Sequence, residues 1–193
     1  MWTIPNQVTL FRIILIPVFV LVFYLPISWS HFGAFVVFWF AAVSDAVDGY
    51  LARRLNQSSA FGAFIDPVAD KLMVVCALAM LIEDYNVWYI TISAALMISR
   101  EIFISALREF MSSRGKRDVI AVSNSGKYKT AAQMLGIMGL IWQPTYDIPL
   151  ILFDIPQEFF MFLTYSFYSI ATILTFTSML SYFKAAWPEL KAK

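Results

Sequence analysis

Four aspartates, spaced in two pairs, are the residues whose types and spacing most directly suggest chemistry. Asp45 and Asp48 are three residues apart, and Asp66 and Asp70 are four residues apart. On a helix, each spacing presents both carboxylates on one face. Four crowded carboxylates repel one another and resist ionisation unless cations neutralise them, and Arg53 and Lys71 supply at most two positive charges. The pattern therefore predicts a cation site.

The predicted cofactor is Mg²⁺ or Mn²⁺. These hard cations prefer oxygen ligands and keep open positions for phosphate. With one histidine and one cysteine in the chain, a zinc site built on imidazole and thiolate is excluded. Two such ions would clamp a diphosphate and stabilise the charge that develops on the attacking and leaving oxygens.

Small residues beside the first pair suggest where a substrate would approach. Gly49 follows Asp48 directly and lacks a side chain. Ala52 has only a methyl group, so the helix surface there stays close to the backbone. Arg53 ends this stretch with a planar guanidinium that suits phosphate. The sequence thus predicts a slot in which a flat group can approach the backbone beside the aspartates.

The composition indicates which elements must position these residues. The chain has 193 residues, of which 60% are hydrophobic and 14% charged, and its mean hydropathy is +0.71. Soluble domains carry about a quarter charged residues. This shortfall excludes a disordered chain, a nucleic-acid binder with a basic surface and an ordinary water-soluble enzyme. The surroundings of most of the chain are predicted to be lipid.

Six apolar stretches, separated by turn signals, predict an all-α integral membrane bundle of six transmembrane helices in one domain, residues 1–193. A short N-terminal segment, Met1 to Asn6, with an interfacial tryptophan and a helix-starting proline, is expected to lie along the lipid headgroups. The predicted spans are 8–25, 32–51, 64–82, 87–110, 130–142 (with a start near Ser125 possible for this short one) and 159–183.

The placement of lysine and arginine predicts the orientation. The net charge is only +1, but all fourteen basic residues fall on one side of the six-span arrangement. Both termini and that side therefore face the cytoplasm. Arg12 interrupts the first apolar stretch and no small-residue cleavage site follows, so this stretch is predicted to be a retained helix. A short turn joins spans two and three, which brings all four aspartates to about the same depth near the inner surface.

At this point the residues resemble a known family. The run Asp45-x2-Asp48-Gly49-x2-Ala52-Arg53-x8-Gly62-x3-Asp66-x3-Asp70 agrees at eight fixed positions with the signature of the CDP-alcohol phosphatidyltransferases, which are integral membrane enzymes of phospholipid synthesis. Two flanking motifs look like those of the bacterial members that make phosphatidylglycerophosphate. They are Ile4-Pro5-Asn6-x2-Thr9-x2-Arg12 and Gly126-Lys127-x-Lys129-Thr130.

The resemblance implies roles for the signature residues. Asp45, Asp48 and Asp66 would ligate two divalent ions, and Asp70 would be both a metal-site residue and the general base. CDP-diacylglycerol would be bound by Asp48, Gly49, Ala52 and Arg53. The reaction implied is transfer of the phosphatidyl group from CDP-diacylglycerol to sn-glycerol 3-phosphate, which releases CMP and leaves phosphatidylglycerophosphate in the membrane.

The phosphate of the acceptor needs cations of its own, and four basic residues are candidates: Arg100, Arg108, Lys127 and Lys129. Arg100 and Arg108 are eight residues apart and fall on roughly the same face of span four. The glutamates that follow them, Glu101 and Glu109, are expected to orient them. Basic residues near a helix end also commonly anchor topology, so this assignment competes with a purely structural role.

Two alternatives stay open on the sequence alone. A member of the same family with another acceptor (serine, inositol phosphate or phosphatidylglycerol) would use the same first half-site. A small proton or ion transporter would also explain intramembrane carboxylates, but not the spacing of Gly49, Ala52 and Arg53. The resemblance further implies a multi-pass protein of the bacterial inner membrane, an active site facing the cytoplasm, a homodimer, and no nucleic-acid partner.

Overall fold

The structure is a computed structural model that describes residues 4–55, 60–116, 125–149 and 154–191. Within these ranges, backbone alone is described for residues 4–6, 45–55, 60–64, 66–67, 70 and 125–128. The chain is almost entirely helical, as the apolar stretches predict.

The described residues form six α-helices and one short β-hairpin. The predicted fifth span is complete, because its helix begins at Ser125 rather than at Thr130. The helices are α1 (Ile4–Phe23), α2 (Ser30–Leu55), α3 (Ala60–Tyr85), α4 (Trp88–Ser113), α5 (Ser125–Trp142) and α6 (Gln157–Lys191), with β1 (Ile148–Pro149) and β2 (Asp154–Ile155) between α5 and α6.

Two details differ from the sequence prediction. Ile4 to Asn6 form the first turn of α1 rather than a separate interfacial segment, while residues 1–3 lie outside the described part. The connection between α5 and α6 contains an antiparallel strand pair in which Ile148 faces Ile155. These strands have two residues each, too short for a period-two pattern to predict.

The helices pack around a shared apolar core. Helix α1 packs against α2 and α3, α3 against α4, α5 against α2, α3 and α6, and α6 also against α4. The turn between α3 and α4 is tight because Asn86 adopts a left-handed conformation, with φ of 47°, that asparagine tolerates better than most residues. The core includes Phe19 and Phe38, whose ring centroids are 5.9 Å apart.

Within the described residues, two helices, α4 and α6, are long and apolar enough to cross a membrane by length and composition alone. With 26 residues, α4 is about 39 Å long, and α6 with 35 residues is about 52 Å long. Both exceed the hydrocarbon thickness of roughly 30 Å. Their ends pack on each other in a separate small cluster of Leu107, Met111 and Ala186.

Helix α5 approaches α6 closely through two glycines. A Cβ atom on Gly136 would lie 2.8 Å from the backbone nitrogen and Cα of Tyr168, whereas one on Gly139 would meet the side chain of Thr164. Because backbone cannot move aside as a flexible side chain can, the interface requires a residue without a side chain at Gly136.

We expect Gly136→Ala to destabilise the folded protein by about 1–3 kcal/mol, the usual cost of overpacking. Thermal unfolding in detergent measures the change. Gly33→Ala is the matched control, because the added methyl there meets only the Cγ1 of Val22, the end of a side chain, at 3.0 Å. Equal melting temperatures for Gly136→Ala and the unsubstituted protein would contradict the described α5–α6 contact.

Candidate functional site

The signature aspartates lie on the two helix segments that flank residues 56–59. Asp45 and Asp48 belong to the last three turns of α2, and Asp66 and Asp70 to the first three turns of α3. Because both segments are helical, each pair occupies one helix face, as the spacing predicts. The four side chains lie outside the described part of the chain, so their ligand roles stay predictions.

The residues predicted to bind CDP-diacylglycerol follow on the same helix. Gly49, Ala52 and Arg53 occupy the last two turns of α2, and with Asp48 they also lie outside the side chains described. Among the side chains that are described, no group of three acidic, histidine or cysteine residues could hold a metal ion.

A buried arginine on α1 was not among the predicted site residues. Arg12 is only 1% exposed, and Thr9, one turn earlier, is fully buried. The side chain of Arg12 borders a small cavity together with Ala41 and Ala42 of α2 and Val74 of α3. A guanidinium inside a helix bundle is costly and is by default a functional candidate.

The position of Arg12 relates it to the signature. Ala41 lies one helical turn before Asp45, and Val74 lies one turn after Asp70. Arg12 therefore lies about one helical turn from both aspartate-bearing segments, toward the middle of α2 and α3. The sequence contains a signal that marks Arg12 as a candidate functional residue, since it is an isolated charge within an apolar stretch.

A polar contact connects the second aspartate pair to α4. Lys71, which follows Asp70, donates a hydrogen bond to Ser105 Oγ. This contact holds the start of α3 at the level of the α4 segment that carries the predicted acceptor residues. Ser105 is one turn beyond Glu101.

Two of the four predicted acceptor cations meet at one carboxylate. Glu101 Oε1 accepts a hydrogen bond from Arg100 Nη1 at 2.7 Å and another from Lys129 Nζ at 3.3 Å. The side chains of Arg100 and Lys129 are 11% and 4% exposed, and that of Glu101 is 21% exposed. We call Arg100, Glu101 and Lys129 the acceptor cluster. It joins α4 to α5 and carries one net positive charge.

Arg100 retains hydrogen-bonding capacity inside this cluster. Its Nε is buried and has no hydrogen-bond partner among the residues described. The guanidinium carbon also lies 5.9 Å from the ring centroid of Tyr182 on α6. A buried donor without a partner costs free energy, so its position suits a ligand oxygen.

Of the other two predicted acceptor residues, only Arg108 has a side chain that the structure describes. Arg108 is exposed on α4, and no ion pair is found for it within the described ranges. Glu109, predicted to orient it, is exposed as well. The side chain of Lys127 lies outside the described part. Its predicted role therefore stays a prediction.

The depth of the acceptor cluster follows from the length of α4. Arg100 comes twelve residues after Trp88, where the helix begins, and hence about 18 Å along the helix axis. Trp88 is 75% exposed, as expected for a residue of the aromatic belt at a membrane surface. The arrangement offers a buried pair of cations that suits a phosphate group.

Comparison with known proteins agrees with the signature. The family model described as CDP-alcohol phosphatidyltransferase matches residues 2–176. This range includes all eight fixed positions of the signature and the acceptor cluster.

Curated relatives match over nearly the full length. A protein of Yersinia enterocolitica serotype O:8, named CDP-diacylglycerol–glycerol-3-phosphate 3-phosphatidyltransferase, is 51% identical over 187 residues, which cover 97% of this chain and 96% of that protein. An Escherichia coli K12 protein of the same name is 49% identical over 189 residues, or 98% of this chain and 97% of that protein. The chain belongs to the CDP-alcohol phosphatidyltransferase family.

Proposed function

We propose that this protein transfers the phosphatidyl group of CDP-diacylglycerol to sn-glycerol 3-phosphate, forming phosphatidylglycerophosphate and CMP. The relatives described above bear the name of this reaction and are about half identical to the chain over nearly its whole length. The observation that carries the choice of acceptor is the acceptor cluster. A buried pair of cations with net positive charge suits a phosphorylated acceptor better than serine.

In this proposal the whole chain, residues 1–193, is one membrane domain. All six helices cross the bacterial inner membrane, with both termini and the active site on the cytoplasmic side. The one-sided distribution of lysine and arginine supports this orientation. A lipid diphosphate at headgroup depth and a soluble cytoplasmic anion meet at that surface.

The signature residues fit a pair of divalent ions. Two carboxylate pairs on adjacent helix ends, with Lys71 engaged by Ser105, form an all-oxygen donor set of the kind that Mg²⁺ and Mn²⁺ prefer. We assign the ligand role to Asp45, Asp48, Asp66 and Asp70. Bound metal would neutralise the diphosphate and stabilise the charge that develops on its oxygens during the transfer.

We assign substrate binding and proton transfer to residues of the chain. Asp48, Gly49, Ala52 and Arg53 hold the cytidine diphosphate part of the lipid, in the slot that the small residues leave. Asp70 accepts the proton of the 1-hydroxyl of the acceptor, whose oxygen attacks the phosphorus that bears diacylglycerol. The bond from that phosphorus to the bridging oxygen breaks, and this oxygen leaves with CMP.

Arg100 and Lys129 bind the phosphate of the acceptor directly in this scheme. Arg108 and Lys127 are predicted to share this role. Because Arg108 is exposed, we propose that it attracts the anion from solution instead, and we keep the predicted role for Lys127. Such attraction depends on ionic strength because exposed charges are screened by salt.

The test of the function is CMP release from CDP-diacylglycerol by the purified protein in detergent with Mg²⁺ or Mn²⁺. Parallel assays contain glycerol 3-phosphate, serine, inositol phosphate or phosphatidylglycerol as acceptor. We expect turnover with glycerol 3-phosphate. Preference for serine or phosphatidylglycerol overturns the assignment of the acceptor cluster, and preference for inositol phosphate overturns the choice of acceptor. Proton flux in vesicles without CMP release would favour the transporter.

Lys129→Met tests the acceptor cluster within this function. It removes a buried charge at nearly constant volume, so we expect the KM for glycerol 3-phosphate to rise about 10- to 100-fold, in line with the loss of one charge-assisted hydrogen bond. Steady-state kinetics with each substrate varied in turn measures this. Lys116→Met is the matched control, because Lys116 forms its ion pair with Glu189 at the surface. An equal effect of the two substitutions would contradict the assignment.

We also propose that the protein is a homodimer, as the resemblance to the family implies. Light scattering of the detergent-solubilised protein measures the mass of the complex. A monomeric mass at concentrations where the protein is fully active would contradict this part of the proposal.

A further inference from the structure

We propose that Glu101 is a positioning residue that assembles the phosphate-binding cations of α4 and α5 into one acceptor subsite. The inference rests on the proposed function, and it assigns a role to an acidic residue within a site for an anion. An acid there weakens the attraction for phosphate, so its presence needs an explanation.

The geometry supplies the explanation. Arg100 and Lys129 come from different helices, and both donate to the same oxygen, Oε1 of Glu101. Two buried cations repel each other strongly where the dielectric constant is low. With Glu101 between them, they stay close enough for one phosphate group to contact both. Without it, their side chains would separate.

The charge balance agrees with this role. The acceptor cluster carries two positive charges and one negative charge, and each side chain is at least three-quarters buried. Buried charges are tolerated when they are paired, so Glu101 makes the empty site stable. The unpartnered Nε of Arg100 shows that Glu101 does not use all the donors, which leaves hydrogen-bonding capacity for the acceptor.

The direction in which the KM for glycerol 3-phosphate changes tests the proposal. If Glu101 positions the two cations, Glu101→Gln raises the KM for glycerol 3-phosphate about tenfold, with little change in kcat or in the KM for CDP-diacylglycerol. If Glu101 only opposes the anion, its removal lowers that KM, and this result overturns the proposal. A parallel fall in kcat, in both affinities and in melting temperature indicates a merely structural residue and overturns it too.

Further variants keep the proposal testable. Glu101→Asp retains the charge on a shorter side chain, so its KM is expected between those of the unsubstituted protein and Glu101→Gln, and it replaces Glu101→Gln if that variant does not fold. Glu158→Gln is the matched control, since Glu158 is an exposed glutamate in the first turn of α6, away from the acceptor cluster. We expect its kinetics to be unchanged. An equal rise for Glu158→Gln would overturn the proposal.

A double variant tests whether Glu101 acts through its partner. Adding Glu101→Gln to Lys129→Met should raise the KM much less than it does alone, because the cation being positioned is already absent. Fully additive effects would overturn the proposal. Failure of the proposed function gives a different result, namely no CMP release with glycerol 3-phosphate in the unsubstituted protein.

Discussion

Asp70→Asn is expected to reduce the rate of CMP release by about 10²- to 10⁴-fold, the range by which general bases accelerate reactions. Asparagine has nearly the size of aspartate but cannot accept the proton of the attacking hydroxyl. The variant should therefore still bind CDP-diacylglycerol. Single-turnover CMP release, together with binding of a cytidine nucleotide, separates the chemical step from binding.

Asp154→Asn is the control for this substitution. Asp154 is an exposed aspartate in β2, in the connection between α5 and α6 that the sequence places on the opposite side of the membrane. We expect it to retain full activity. Full activity of Asp70→Asn in a folded preparation would exclude Asp70 as the general base and would remove a central part of the proposed mechanism.

Removing divalent cations with an excess of EDTA is expected to reduce CMP release to background, and adding Mg²⁺ or Mn²⁺ should restore it. The reason is the mutual repulsion of four carboxylates and a diphosphate, which the chain's own cations near the signature do not balance. Titration of activity with each metal ion after dialysis measures the affinity.

The metal dependence has its own control within the chain. Asp66→Asn should raise the metal concentration needed for half-maximal activity, whereas Lys129→Met should leave that concentration unchanged, since Lys129 belongs to the acceptor cluster. Full activity of the dialysed protein in EDTA would contradict the metal site.

The sequence predicts the number and order of the helices well, because each apolar stretch is long and is bounded by turn residues. The fifth helix is the informative exception. Its first turn, Ser125 to Tyr128, is polar, so hydropathy placed the start near Thr130 with Ser125 as the outer possibility. The helix nonetheless includes this turn, which positions Lys129 against Glu101 on α4.

The site could be predicted only in part, and the reason is three-dimensional. Spacing along one helix puts Arg100 and Arg108 on one face, but Arg100 is buried beside Glu101 whereas Arg108 is exposed, because helix packing decides which turn of a face is covered. The sequence does not show that Arg12 lies near the aspartate-bearing helices, because its neighbours come from α2 and α3, far away in the sequence. The bridge through Glu101 requires the contact between α4 and α5, which no local pattern encodes.

The depth of Arg100 has a consequence for the surrounding membrane. If Trp88 marks one surface, a cluster about 18 Å along α4 lies roughly 12 Å beneath the other edge of a 30 Å hydrocarbon layer. A glycerol phosphate anion cannot reach that depth through acyl chains. In the proposed function, the acceptor therefore needs a hydrated vestibule that is open to the cytoplasm, whereas the lipid donor is bound at headgroup depth by the signature residues. In this mechanism, the proton that Asp70 takes from the acceptor would leave through the same water rather than through the hydrocarbon layer.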